Sequence, residues 1–454
     1  MSTVSKMEKT APYRVGEWLP SDQKILNDWL ADLVDEVAVK PKPFHPVITE
    51  LQELIESNAE IYALVTMMFE QVPRKYEHSE YGNQVRDYKH FLQLLNAIMT
   101  KSPTYNITGC VGFPINAILD WAMGTEGGFS AFLNDKLNAQ LNKVLKHWGT
   151  FLMSEESKYV LSTDNHPIPG TEHRRTKQYY WLSDIAMVAM MNMMRQGKPL
   201  LTADDHKKAR EEFIETFECD PEKPHYGFTC WDDFFTRRFR TGLRPIAGEG
   251  DDSIIVNACE SAPYRIAKGD EVKLRNKFWI KGQPYSLAHM LDNDEYTEQF
   301  VGGTVYQAFL SAKSFHRWNS PVTGTIVKTK IVDGTYYSET PAEGYDEAAP
   351  NDSQGYISEV ATRAIIFIEA DNPKIGLMCM MPIGMAEVSS CDISVYEGQK
   401  VTKGQPIGTF HFGGSTHCLF FRKGVKIEFD LPKNNPPGLN SYNLFVNSKL
   451  ATVK

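Results

Sequence analysis

Apolar positions in the first half of the chain recur at helical spacing. Ile25, Leu26, Trp29, Leu30, Leu33 and Val37 fall on one face of a 3.6-residue period, behind Ser21-Asp22-Gln23-Lys24, which can cap a helix. Pro41, Pro43 and Pro46 break that pattern. Ile48, Leu51, Leu54 and Ile55 resume it, then Leu64, Val65, Met68 and Phe69, then Phe91, Leu94, Leu95, Ile98 and Met99. The longest run, over 128–153, carries Phe129, Phe132, Leu133, Leu137, Leu141, Val144, Leu145, Trp148 and Leu152, and predicts one continuous helix. A further helix is expected over 181–194. Its five methionines suit adaptable packing, or a lid over a site. After about residue 200 the pattern changes to short β-prone runs between Gly and Pro turns: 253–256, 303–310, 324–330, 364–369, 375–380 and 387–395. Residues 334–358 are polar and turn-rich, and read as a long loop. The expectation is an α+β chain, with a helical N-terminal domain over 1–205 and a β-rich domain over 206–454.

Composition narrows the class. With 454 residues the chain has room for about two to four domains. Apolar residues at 42% can bury a core, which excludes a disordered or collagen-like chain. There are 48 basic against 57 acidic side chains, and this acidity argues against a general nucleic-acid binder. There is no run of about 18 apolar residues to span a membrane, and no apolar segment of signal-peptide type at the start. Seven scattered cysteines fit a reducing, cytoplasmic setting. No zinc-type Cys/His spacing, Walker loop or dinucleotide fingerprint appears, and His417-Cys418 is too close a pair for the zinc pattern.

Chemistry concentrates near the C-terminus, in KGQPIGTFHFGGSTHCLFFRKG over 403–424. Within it, Gly413-Gly414-Ser415-Thr416 places a hydroxyl directly after a flexible carbonyl. Attack of the Ser415 hydroxyl on the Gly414 carbonyl would give an ester. Elimination from that ester would leave dehydroalanine, which hydrolyses to a pyruvoyl group and ammonia. The products would be chains of 414 and 40 residues. Taken alone, the tetrapeptide also reads as a polar turn.

This stretch resembles the C-terminal signature of the phosphatidylserine decarboxylase family, in which a Gly-Ser-Thr motif is cleaved to form a pyruvoyl group. Residues 314–326, SFHRWNSPVTGTI, resemble the family's His-Arg-x-His segment, and 227–239, GFTCWDDFFTRRF, resemble its Phe-Phe-x-Arg entry segment, followed by Arg244-Pro245. Val256-Asn257-Ala258-Cys259-Glu260-Ser261 stands where the family has Ser-Pro-x-Asp-Gly. Gly127-Gly128-Phe129-Ser130-Ala131-Phe132 and the helix after it resemble the extra domain of the family's soluble fungal branch.

The resemblance implies candidate catalytic residues Ser415, His316 and Glu260, with cleavage between Gly414 and Ser415. Gly413, Thr416, Asn319, His411 and Phe412 are candidate lining residues. The cofactor implied is a pyruvoyl group made from Ser415, a ketone that condenses with an amine and accepts the electrons CO2 leaves behind; no pyridoxal phosphate and no metal is implied. His316 is the acid/base candidate, and Glu260 stands at the position of a carboxylate that could orient an imidazole. Asn319 departs from the pattern. The family usually carries a second histidine there, and an amide cannot take a proton. The implied function is decarboxylation of a free aromatic, tryptophan-like L-amino acid, without a membrane anchor and as a possible homo-oligomer. The alternatives are a phosphatidylserine decarboxylase making phosphatidylethanolamine, or an uncleaved homologue that only binds.

Overall fold

In the computed structural model, which describes residues 23–77, 84–106, 113–196, 198–275, 285–311, 313–340, 353–387 and 390–454, the helical periodicity becomes a helical half. Its first helices are α1 (Gln23–Val39), α2 (Pro46–Ser57), α3 (Ala59–Lys75), α4 (Tyr88–Ile98) and α5 (Pro114–Met123). Then follow α6 (Glu126–Phe132), α7 (Asp135–Leu152) and α8 (Asp184–Asn192). The caps are local: Asn58 accepts from Ile61 N at 3.1 Å and Asp87 from His90 N at 2.8 Å. The single helix expected over 128–153 is two. Asn134 accepts from the backbone N–H groups of Lys136 and Leu137, opening α7, while Thr125 caps α6 through Gly128 N at 2.9 Å. The break lets α6 lie against α3 with backbones nearly touching. A Cβ at Gly127 would stand 2.6 Å from Met68 N.

The helical character also runs further than expected. Helices α9 (His206–Thr216) and α10 (Trp231–Phe235) precede the first described strand, Ile254–Val256. Ion pairs tie α9 to the start of α8 and to the segment just after it, with Arg210–Asp184 at 2.5 Å and Arg195–Glu212 at 2.6 Å. The expected division at 205 therefore falls between two packed helices. Part of the expected loop is also ordered as a helix, Gln354–Val360, which buries Tyr356 and Ile357; residues 341–352 lie outside the described residues.

Seven strands form an antiparallel sheet in the order Lys400–Val401, Gly324–Val332, Arg363–Ala370, Leu377–Met385, Gly414–Phe421, Thr304–Leu310, Ala262–Lys268. The strand expected at 375–380 starts later, because Gly376 sits in a turn at φ +55°. Of the run 387–395, only Cys391–Ile393 is a described strand, while Val388 and Ser389 lie outside the described residues. Cys391–Ile393 joins Pro406–Phe410 and Arg317–Asn319 in a small antiparallel sheet.

Both faces of the seven-stranded sheet are covered. On one face Phe309, Phe367, Met381 and Phe420 share a core with Leu141, Trp148 and other residues of the helical half. On the other, Leu310, Ile366, Met380 and Leu419 pack with the small sheets. This double burial explains continuous apolar runs such as 377–385, where alternation is lost. Among the described residues no helix is long and apolar enough to cross a membrane. All the described cysteines are unpaired.

Candidate active site

The strand Gly414–Phe421 is central and every residue in it is buried. Ser415 lies opposite Gly384 on one neighbouring strand and Leu310 on the other. Gly413, just before the strand, takes φ +135°, where a side chain would be strained. The Ser415 hydroxyl is fully buried and has no hydrogen-bond partner. Thr416 points to the opposite face, where its hydroxyl donates to Ala308 O at 2.9 Å and accepts from Gln307 Nε2 at 3.3 Å. Strand alternation returns the next side chain, His417, to the face of Ser415, between Ala308 and Pro382. No side chain partners the His417 ring; burial outweighs a bond with the Ala308 backbone and pushes the imidazole down to about 3.

Phe412 anchors an aromatic cluster just before the Gly-Gly corner. Its ring centroid is 5.1 Å from Trp148, 5.5 Å from Phe235, 5.8 Å from Trp231 and 6.1 Å from Phe113. Trp148 and Phe113 come from the helical half, so that half builds one wall of the corner. His316 stacks on Phe235 at 3.9 Å, and its carbonyl accepts from Phe410 N at 2.9 Å. The structure thus brings His316 and the segment leading into Ser415 together. Burial, and secondarily the Arg237 guanidinium, pushes His316 down to about 3. His316 and His417 are therefore neutral at physiological pH.

Glu260 is fully buried, but its oxygens serve other groups. Arg244 donates to both, at 2.7 and 3.2 Å, and Val446 N–H donates at 2.7 Å. No hydrogen bond to an imidazole is among its described contacts. Asn319 Nδ2 donates to Asn447 Oδ1 at 3.1 Å, and Asn319 lines a cavity of about 410 Å3 with Arg238, Arg240, Arg244 and Arg317. His411 is tied to Asp232 of α10, with Nδ1 at 2.9 Å. Burial opposes its charge, but the Asp232 carboxylate outweighs burial and holds its pKa above the usual value.

The sequence reading missed two groups. Glu387, placed in a strand by its pattern, is a helix cap reaching across the molecule. Its Oε1 accepts from Ile115 N at 2.7 Å and Asn116 N at 2.9 Å, at the start of α5, where Phe113 offers no side-chain cap. Its Oε2 has no partner, nor does the buried amide of Asn116. Burial pushes Glu387 up to about 8. No local signal marks a cap 271 residues away from the helix it closes. His417 was set aside as half of an adjacent pair, although its spacing of two from Ser415 was a usable signal.

Two family profiles, both described as phosphatidylserine decarboxylase, match residues 45–190 and 231–439. The L-tryptophan decarboxylase of Psilocybe cubensis is 36% identical over 402 residues, covering 86% of this chain and 83% of that one. The L-tryptophan decarboxylase of Psilocybe cyanescens is 36% identical over 436 residues, covering 93% and 91%. The decarboxylase iboD of Amanita muscaria is 38% identical over 331 residues, covering 70% and 86%. The chain belongs to the phosphatidylserine decarboxylase family.

The resemblance implies a pyruvoyl group made from Ser415, and the residues present fit such a group. Ser415 follows two glycines, one in a strained conformation, and its orphaned hydroxyl is free to attack. Among the described residues no cluster of three His, Cys, Asp or Glu side chains could hold a metal.

Proposed function

We propose that this decarboxylase matures by cutting itself between Gly414 and Ser415, and then converts a free aromatic L-amino acid, tryptophan-like, into its amine and CO2 in the cytoplasm. The observation that carries the reading is the buried, unpartnered Ser415 hydroxyl at the Gly-Gly corner, beside the Phe412 cluster. The pyruvoyl group, once formed, supplies the electron sink for decarboxylation. The chain's residues do the rest. Phe412, Phe235, Trp231, Trp148 and Phe113 offer aromatic surface to an aromatic substrate and exclude water. His316, neutral and oriented by its stack on Phe235, moves the proton at the substrate α-carbon. Glu260 acts as a positioning residue, holding Arg244 and the Val446 backbone.

Intact mass spectrometry of the purified chain tests maturation. Fragments of 414 and 40 residues are expected, and Ser415→Ala should stay whole. A wild-type chain that remains uncut would refute the reading. Incubation with tryptophan, tyrosine, phenylalanine, serine or phosphatidylserine vesicles tests the substrate. Amine from the phospholipid alone would overturn the aromatic assignment.

A further inference from the structure

If Ser415 is to attack, some group must take its proton, and the usual candidates are spoken for. Position 319 carries an amide held by Asn447. Glu260 is engaged by Arg244 and Val446. His316 packs on Phe235, which belongs to the core on the helical face of the sheet. Before cleavage the Ser415 side chain shares its face with Leu310 and Leu419, which belong to the opposite core; cutting the chain frees this end to turn towards His316 and the Phe412 cluster.

One imidazole lies on that same face. His417 is two residues along the strand, and a rise of about 3.3 Å per residue separates the two Cβ atoms by roughly 6.6 Å. An imidazole and a hydroxymethyl group span such a gap with one hydrogen bond. The lateral neighbours carry no polar side chain: Gly384 and Leu310 beside Ser415, Ala308 and Pro382 beside His417. Both polar groups are fully buried; Ser415 has no hydrogen-bond partner, and His417 has no side-chain partner, only the backbone of Ala308. An unsatisfied buried polar group costs about 1–3 kcal/mol. Two side by side on one strand face mark a site kept for chemistry rather than for stability.

We propose that His417 is the base that takes the Ser415 hydroxyl proton during self-cleavage, the role the family usually gives to the histidine that Asn319 replaces. The inference rests on the maturation reading above. The Ser415 Oγ–H proton moves to a His417 ring nitrogen as Oγ bonds to the Gly414 carbonyl carbon. The bond from that carbon to the Ser415 nitrogen then breaks, and His417 returns the proton to the departing nitrogen. The result is an ester and a free amine. Loss of the Ser415 α-proton then breaks the Cβ–Oγ bond, leaving the Gly414 carboxylate and dehydroalanine. Burial keeps His417 unprotonated before the reaction, as a base must be. The oxyanion formed at Gly414 then stabilises the imidazolium beside it. Two histidines thus divide the work: His417 in maturation, His316 in turnover.

The test reads chain cleavage by intact mass, independent of decarboxylation. His417→Ala should remain full length, slowed at least about 100-fold, while His316→Ala should cleave like wild type. Added imidazole should enter the space left in His417→Ala and restore cleavage. Thermal unfolding checks that the variant is folded; if it is not, His417→Gln, close in volume and without a base, carries the same comparison. Wild-type cleavage rates in either folded variant would overturn the proposal. So would a folded, uncut His417→Ala chain that imidazole leaves uncut. An uncut wild-type chain would instead strike the maturation reading itself.

Discussion

Glu387→Gln separates two opposing forces on one carboxyl group. The N-terminus of α5 and two backbone N–H bonds favour the charged form, an effect of about 1 kcal/mol for the helix end. Against this, the side chain is buried with Oε2 unpartnered, and an uncompensated buried charge costs several kcal/mol. Burial wins, raising the pKa from 4.5 to about 8. In the unfolded chain the group ionises near 4.5, whereas in the fold it stays protonated to about 8. The unfolded state therefore releases a proton that the folded state keeps. The stability that Glu387 contributes is full below pH 4.5 and is lost as pH rises towards 8. The slope is about 1.4 kcal/mol per pH unit, with a ceiling of about 5 kcal/mol over the window. Glutamine keeps the cap through its carbonyl oxygen but cannot ionise. Urea unfolding at pH 5, 6, 7 and 8, in a Ser415→Ala background that keeps the chain whole, compares the two. The wild-type carboxyl should lose about 3–4 kcal/mol relative to glutamine between pH 5 and 8. Parallel pH profiles would show that Glu387 is charged in the fold, and would refute the balance argued here.

Four further outcomes are expected. Asp232→Asn removes the partner of His411 and should cost about 1 kcal/mol; because that histidine's pKa is raised, the deficit should be larger at pH 6 than at pH 9 in thermal melts. Glu260→Ala strands Arg244 and the Val446 N–H and should lower stability by about 2–4 kcal/mol, and an unchanged melting temperature would rule out the clamp. Gly127→Ala should cost about 1–3 kcal/mol, since its Cβ would press on the backbone of Met68. Gly149→Ala, in the last turn of α7 with nothing within 4 Å of the new Cβ, should instead stabilise by about 0.5–1 kcal/mol; equal effects would show that close helix approach does not decide the difference.

Much of this molecule is written locally. Helical periodicity located the elements from α1 to α4, because an amphipathic face has to recur every three or four residues wherever it packs. The break at Asn134 was missed, since the apolar stripe continues across it while the cap depends on one side-chain angle. The change to β structure was placed too early. Residues 206–235 are amphipathic and aromatic without a clear period, and α9 is held by ion pairs to Asp184 of α8 and to Arg195 just after it.

Contiguous residue types carry the family and the α+β class, and they mark Gly414–Ser415 as the candidate cleavage junction. The sequence also contained the spacing of Ser415 and His417, although only a strand turns a spacing of two into a shared face. Tertiary structure decided which groups are available to act. Folding engages Glu260 with Arg244 and Asn319 with Asn447, and packs His316 on Phe235. It draws Glu387 onto a helix 271 residues distant. It also leaves Ser415 and His417 together without side-chain partners. Such assignments depend on which buried polar groups find a mate, and that is settled only when distant segments meet.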